Sequence, residues 1–264
     1  MTRLVVLGGG RMGAALVSGL LSSGWAPAGE LGVVEPVAAR RDELEAMFPG
    51  VAVAADVTAG AEGAVVAVKP GDVEAACRAL AGAGVDRVLS IAAGVPLAKL
   101  ESWLNAGAAV VRAMPNTPAL LGCGAAAIAA GAAASDADLA WAEEILAAVG
   151  TVERVGEKLL DAVTGLSGSG PAYVFLVAEA LIEAGVAAGL PRTVSETLTI
   201  QTLLGSARLL AESGDRPEVL RAAVTSPGGT TAAGLAALEA KAVRSAFMEA
   251  VLAATQRSKE LGRG

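Results

Sequence analysis

The feature that most narrows the fold lies at the start of the chain. Leu4-Val5-Val6-Leu7, an apolar run of strand length, leads into Gly8-Gly9-Gly10-Arg11-Met12-Gly13, and an amphipathic helical pattern continues from Arg11 to Ser22. Strand, glycine turn and helix in that order are the context in which G-x-G-x-x-G spacing has a mechanism. Gly8 permits the tight turn, Gly10 lets backbone approach a pyrophosphate, and Gly13 lets the helix lie close to the strand. The unpaired N–H groups of the helix start, around Arg11 and Met12, then hold phosphate charge. A glycine turn without a ligand and a site for S-adenosylmethionine are the competing readings of the same glycines.

The pattern repeats in looser form. Apolar runs at residues 31–34, 51–54, 64–68, 88–91 and 108–112 read as strands, followed or separated by helical patterns, one with Arg40, Arg41, Asp42, Glu43 and Glu45 on its wet side and others at 72–81 and 97–103, with a last strand at 151–155. Runs that are apolar throughout and alternate with helices imply a parallel sheet covered on both faces. From Glu157 onward only helical patterns remain, at 173–188, 194–213, 218–223, 231–239 and 243–261. Gly189-Leu190-Pro191 and the Gly214 to Pro217 segment separate them with the Gly-then-Pro punctuation of helix ends. The expected organisation is a Rossmann-type, doubly wound α/β domain over residues 1–156, followed by an all-α domain over 157–264. Helices such as Tyr173-Val174-Phe175-Leu176-Val177-Ala178 are apolar around most of their circumference, and a helix of that kind is buried. A partner subunit is the simplest cover, so at least a homodimer is expected.

Composition removes whole classes of chemistry. There is no histidine among the 264 residues, which excludes Ser-His-Asp and Cys-His nucleophiles, His metal sites and a His general base. A formal net charge of −7 argues against a nucleic-acid partner or an anionic membrane surface. Cys77 and Cys123 form no CxxC, and without a secretory signal they read as free buried thiols of a cytoplasmic protein. The mean hydropathy of +0.58 raises the question of a membrane span. The longest uncharged stretch, residues 113–135, is broken by Pro115, Pro118 and several glycines and is mostly Ala, so it reads as tight packing rather than a span.

Polar or backbone-special residues close several apolar runs. Glu35 ends the second strand, where an acid reaches the ribose hydroxyls and disfavours a 2′-phosphate; Arg40 and Arg41 beyond it read as solvated helix charges. Val68-Lys69-Pro70, the Ser90 to Gly94 turn with Ala92 and Ala93, and Met114-Pro115-Asn116 end other runs. In a doubly wound sheet those carboxyl ends form the ligand-binding rim. In the helical part, Ser226-Pro227-Gly228-Gly229-Thr230-Thr231 precedes a helix pattern and has the parts of an anion site: a hydroxyl, glycines and free N–H groups.

With these segments in hand, the chain resembles the pyrroline-5-carboxylate reductase family over essentially its whole length. The motifs that carry the resemblance are residues 8–13, Val68-Lys69-Pro70, 114–118, the long segment from Asp161 to Tyr173, and 225–231. The resemblance implies reduction of the cyclic imine (S)-1-pyrroline-5-carboxylate to L-proline with NAD(P)H, the last step of proline biosynthesis, by a homodimer or a ring of dimers with each site bordered by both chains. It implies that Ser226, Gly228, Gly229, Thr230, Thr231 and Ala232 hold the imino-acid substrate, with Thr231 at the ring nitrogen. Lys69, Pro70, Met114, Pro115 and Asn116 then lie along the nicotinamide side. Where the family often carries an Asn-Arg pair suited to NADPH, this chain has Glu35-Pro36, which leaves room for NADH. The rival readings are another imine or β-hydroxyacid oxidoreductase of the same architecture, and a nucleotide-binding regulator without turnover.

Overall fold

The computed structural model describes residues 2–57 and 60–263. It divides into two compact units, Met1–Ser169 with Leu252–Gly264, and Gly170–Val251.

In the first unit the chain runs β1 (Leu4–Leu7), α1 (Arg11–Ser22), β2 (Leu31–Val34), α2 (Ala38–Met47), β3 (Ala52–Ala54), β4 (Ala64–Val66), α3 (Val73–Gly82), β5 (Arg87–Ser90), α4 (Leu97–Trp103) and β6 (Ala109–Met114). It continues through β7 (Gly124–Ala130), α5 (Asp136–Ala147), β8 (Gly150–Arg154) and the short α6 (Leu160–Val163). The strands form one sheet in the order β3-β2-β1-β4-β5-β6-β7-β8. The first six are parallel in the doubly wound order 3-2-1-4-5-6.

Period-two alternation divides the strand side chains between the two faces. Leu4 and Val6 of β1 join α1, α2 and α5 through Leu16, Leu20, Leu44 and Ile145. Val5 and Leu7 join α3, α4 and α6 through Val73, Leu80, Leu100 and Leu160. Both layers are buried, and each fully buried Leu or Val contributes about 1.5–3 kcal/mol.

Three expectations need correction. The sheet is not wholly parallel: β7, in the alanine-rich stretch after β6, returns antiparallel to it, because the link between them is too short for a crossover helix. Helix α5 was not anticipated; it starts at a reciprocal cap between Ser135 and Asp138. Only Cys77 is a buried thiol, pushed up to about 11 by burial. Cys123 is exposed, because Gly122 (φ +69°) turns the chain over the surface just before β7. The uncharged stretch 113–135 holds the end of β6, a 3₁₀ turn at Thr117–Leu121 and β7, and no α-helix.

The second unit is helical: α7 (Gly170–Ala187), α8 (Arg192–Glu212), α9 (Pro217–Ala223), α10 (Thr230–Ala240) and the first part of α11 (Val243–Arg263). Gly189 (φ +100°) and Pro191 turn α7 into α8. The two helices approach closely at Gly185, where a Cβ would stand 2.2 Å from the Ser195 hydroxyl that donates to the Ile182 carbonyl at 2.8 Å. Ser195 and Thr199 are the only buried residues among those described in this unit. The apolar faces are exposed in the single chain, with Phe175 at 62%, Leu176 at 65% and Met248 at 66%. By length and composition alone, the helical stretch Glu157–Ala187 is apolar enough to cross a membrane.

Candidate active site

The glycine loop meets the geometry that its spacing requires. Gly8 sits at φ +102°, and a Cβ there would strike the Ala67 carbonyl oxygen at 2.6 Å, so the β1 turn closes directly over the end of β4. A Cβ on Gly13 would lie 2.0 Å from the Gly8 carbonyl oxygen, which accounts for the close seating of α1. Gly10, the N-cap of α1, has nothing within 4 Å of where a Cβ would be, and no side chain caps the helix. The first N–H groups of a twelve-residue helix, around Arg11 and Met12, are thus left to a ligand. An open, uncapped cradle of this kind fits a dinucleotide pyrophosphate.

Glu35 stands just after β2, but its carboxylate is already engaged. Oε2 accepts from Gly9 N at 3.1 Å and Oε1 accepts from Val37 N at 3.0 Å. The arginines expected to be solvated are engaged as well. Arg40 Nε donates to the Gly9 carbonyl at 2.8 Å, while Arg41 Nη1 donates to the carbonyls of Glu35 and Pro36 at 3.0 and 2.8 Å. The spacing of these residues on α2 hid this role, since their acceptors are backbone groups of the two preceding loops. Together they make a hydrogen-bonded collar on the glycine loop.

The other rim residues follow the strand ends. Val68 is half-buried, and Lys69 and Pro70 are exposed at the start of a 3₁₀ turn, Pro70–Asp72. Ala92 is buried and Ala93 exposed, and Gly94 turns at φ +75°. The buried Ser90 hydroxyl accepts from Ala92 N at 3.4 Å. Met114 and Asn116 are half-buried on either side of the buried Pro115. The Asn116 amide accepts from Ala125 N at 2.8 Å through Oδ1, and donates to the Ser167 carbonyl at 3.0 Å through Nδ2. Close by, Arg112, only 8% exposed, donates to Glu157 Oε1 at 3.0 Å, and the same oxygen accepts Leu97 N at 2.7 Å.

In the helical unit, Gly228 (φ +71°) and Gly229 shape the loop before α10. A Cβ on Gly229 would meet the Ser226 Oγ at 2.4 Å, so only glycine lets that hydroxyl tuck under the helix start. Gly229 is the N-cap, and no side chain caps the first turn formed by Thr230, Thr231 and Ala232. Among the described residues no protein group bonds the hydroxyls of Ser226, Thr230 or Thr231, and all three residues are exposed. Successive helical residues point about 100° apart, so the two threonine hydroxyls face different directions.

Residues 157–261 match the family model described as pyrroline-5-carboxylate reductase dimerisation, and residues 3–94 match that of NADP oxidoreductase, coenzyme F420-dependent. A pyrroline-5-carboxylate reductase of Synechocystis is 46% identical over 99% of this chain and 98% of its own length. The solved structure of a pyrroline-5-carboxylate reductase from Coxiella burnetii superposes with a TM-score of 0.93 at 37% identity, covering 98% of both chains. That of Plasmodium falciparum pyrroline carboxylate reductase with NADP bound has a TM-score of 0.86 at 30% identity, covering 99% of this chain and 98% of that one.

The chain belongs to the pyrroline-5-carboxylate reductase family. As a member it is an NAD(P)H-dependent oxidoreductase of proline biosynthesis that reduces pyrroline-5-carboxylate to proline, and it assembles as a homo-oligomer. In this reductase the dimerisation segment contains the helices with the exposed apolar faces.

Proposed function

We propose that the reductase holds the carboxylate of (S)-1-pyrroline-5-carboxylate with the Ser226 hydroxyl and the N–H groups of residues 229–232, and that Thr231 serves the ring nitrogen. The carrying observation is the uncapped start of α10 with its free hydroxyls, on an eleven-residue helix that presents N–H groups to an anion. NAD(P)H, when bound, supplies the hydride that the imine carbon accepts. The residues around it have other tasks. The uncapped start of α1, from Gly8 to Gly13, cradles the pyrophosphate. Glu35 takes the ribose side, Val68, Ala92, Ala93 and Gly94 belong to the cofactor-binding rim, and Lys69, Pro70, Met114, Pro115 and Asn116 form the nicotinamide side.

No histidine is needed for this reaction. A cyclic imine is itself protonated near neutral pH, and reduction returns a lone pair to its nitrogen. The Thr231 hydroxyl donates to that lone pair as it develops, so its hydrogen bond strengthens along the reaction. Orientation supplies much of the remaining acceleration. Glu35 admits NADH alongside NADPH. The functional division lies between residues 156 and 157, the site of action is the cytoplasm, and the dimers join into a ring. The apolar helical faces meet a second copy of the chain rather than lipid, and the net charge of −7 turns nucleic acid away.

A β-hydroxyacid dehydrogenase of the same architecture would need a lysine on a long helix of the second unit. Neither α7 nor α8 carries one; Lys158 precedes α6, Lys241 follows α10, and Lys259 lies in the last part of α11, which belongs to the first unit. The test is spectrophotometric: oxidation of NADPH and NADH is followed with pyrroline-5-carboxylate, 2-keto acids and a different cyclic imine, and reduction of NAD(P)+ with 3-hydroxyacids. Turnover confined to pyrroline-5-carboxylate is expected. Equal or better turnover of a keto or hydroxy acid, or none with any substrate, would refute the proposal.

A further inference from the structure

We infer that Asn116 is a positioning residue for hydride transfer, acting through the Ser167 carbonyl to hold the turn of residues 164–168 against the cofactor rim. The inference rests on the reading of the Met114-Pro115-Asn116 segment as the nicotinamide side.

The turn Thr164–Gly168 is a π-turn, in which Ser169 N reaches back to the Thr164 carbonyl at 2.8 Å. Turns of this kind are costly in a helix and concentrate at functional sites. The sequence leaves a second gap just beyond it. The residue four beyond Ser167 is Pro171, which has no N–H, so the carbonyl of Ser167 loses its ordinary α-helical donor. Asn116 Nδ2 supplies a donor from outside the helix, at 3.0 Å. The other end of the same amide accepts from Ala125 N on β7 at 2.8 Å. One partner is a fixed acceptor and the other a fixed donor, so the amide can be oriented only one way.

A second contact joins the same two segments. A Cβ on Gly168 would stand 2.6 Å from the Met114 Cε, so the bare backbone of the π-turn is what lets Met114 lie against it. The side chains on either side of Pro115 therefore both hold residues 164–168. The Asn116 amide spends its oxygen and one hydrogen on protein groups, and its effect on the reaction is geometric. A displacement of about 1 Å at a reacting centre costs up to about 100-fold in rate.

The experiment uses the full-length oligomer with pyrroline-5-carboxylate as substrate. Asn116→Asp keeps the acceptor for Ala125 N and turns a carboxylate toward the Ser167 carbonyl. It is expected to lower kcat by roughly 10–100-fold, with the NADPH Kd, read by fluorescence, changed by less than about 3-fold. Adding Pro171→Ala gives Ser167 a donor from within the helix. That change should recover Tm but not kcat, because the tether to β7 stays broken. Gly168→Ala presses on Met114 with Asn116 intact, and should lower kcat several-fold even if Asn116→Asp does not fold. Unchanged kcat in the variants, kcat restored by Pro171→Ala, or a Kd weakened tenfold with kcat preserved would overturn the inference. A wild-type enzyme inactive with pyrroline-5-carboxylate would instead refute the functional reading, and the inference with it.

Discussion

The two compact units solve the problem of burial differently. The sheet unit is finished within one chain: it has a buried apolar layer on each face, and its rim arginines, Glu35 and Asn116 are bonded to its own backbone. In the helical unit Phe175, Leu176 and Met248 lie in the open, and the hydroxyls of Ser226, Thr230 and Thr231 at the start of α10 meet no protein partner among the described residues. Hydrophobic stabilisation requires that such faces be removed from water. One unit is a self-supporting cofactor platform; the other needs a second copy to cover its apolar faces.

The largest expected effect falls in the unfinished unit. Thr231→Val keeps the shape of the side chain and removes the hydroxyl, and is expected to fold and bind NAD(P)H normally while losing about 10–1000-fold in kcat. Thr230→Val should cost far less, since the neighbouring hydroxyl points elsewhere on the helix. Steady-state kinetics of both variants decide it: equal losses would mean that the loop acts by shape alone, and no loss at Thr231 would leave the nitrogen to water.

A smaller effect belongs to the collar of the finished unit. Glu35→Ser should move the ratio of kcat/KM values toward NADPH by about 1–2 kcal/mol, roughly 5–30-fold, as a negative charge leaves the ribose side. The bonds from Gly9 N and Val37 N add a second consequence: the glycine loop loses a brace, so the KM values for both cofactors should rise together. A wild type that strongly prefers NADPH, with a substitution that leaves the ratio unchanged, would show that Glu35 only braces the loop.

The smallest effect lies away from the site. Burial would raise the Asp138 carboxyl, but hydrogen bonds with Ser135 and the Arg87 guanidinium at 2.7 Å outweigh it and hold it below the usual carboxylate range. A depressed folded pKa stabilises the protein above the unfolded value and stops doing so as pH falls through the folded one. Asp138→Asn should therefore lower the Tm of the sheet unit by a few degrees at pH 7, for a loss of about 1 kcal/mol. Calorimetry from pH 7 downward should show that gap closing below about pH 4. A gap that widens with acid would place the carboxylate outside the pair.

The same contrast explains what could be read from the sequence. The limits of β1, α1, β2 and α4 were legible because apolar runs there end at glycine, proline or charge. Strand β7 was not, since an alanine-rich run carries little strand propensity and its place depends on pairing with β6 and β8. Helix α5 had a signal in Ser135 and Asp138 that composition masked. The glycine loop and the 226–231 loop announce themselves because local backbone geometry makes them. The roles of Asn116, Arg40 and Arg41 stayed hidden because their partners, Ala125, Ser167, Gly9 and the turn at Glu35-Pro36, are fixed only by folding.

Sedimentation velocity combined with activity, on one sample diluted through the micromolar range, tests the contrast most directly. No stable monomer should be active: the dimer or a larger ring persists, and activity falls with the fraction dissociated. A folded monomer that turns over pyrroline-5-carboxylate at the full rate would contradict it.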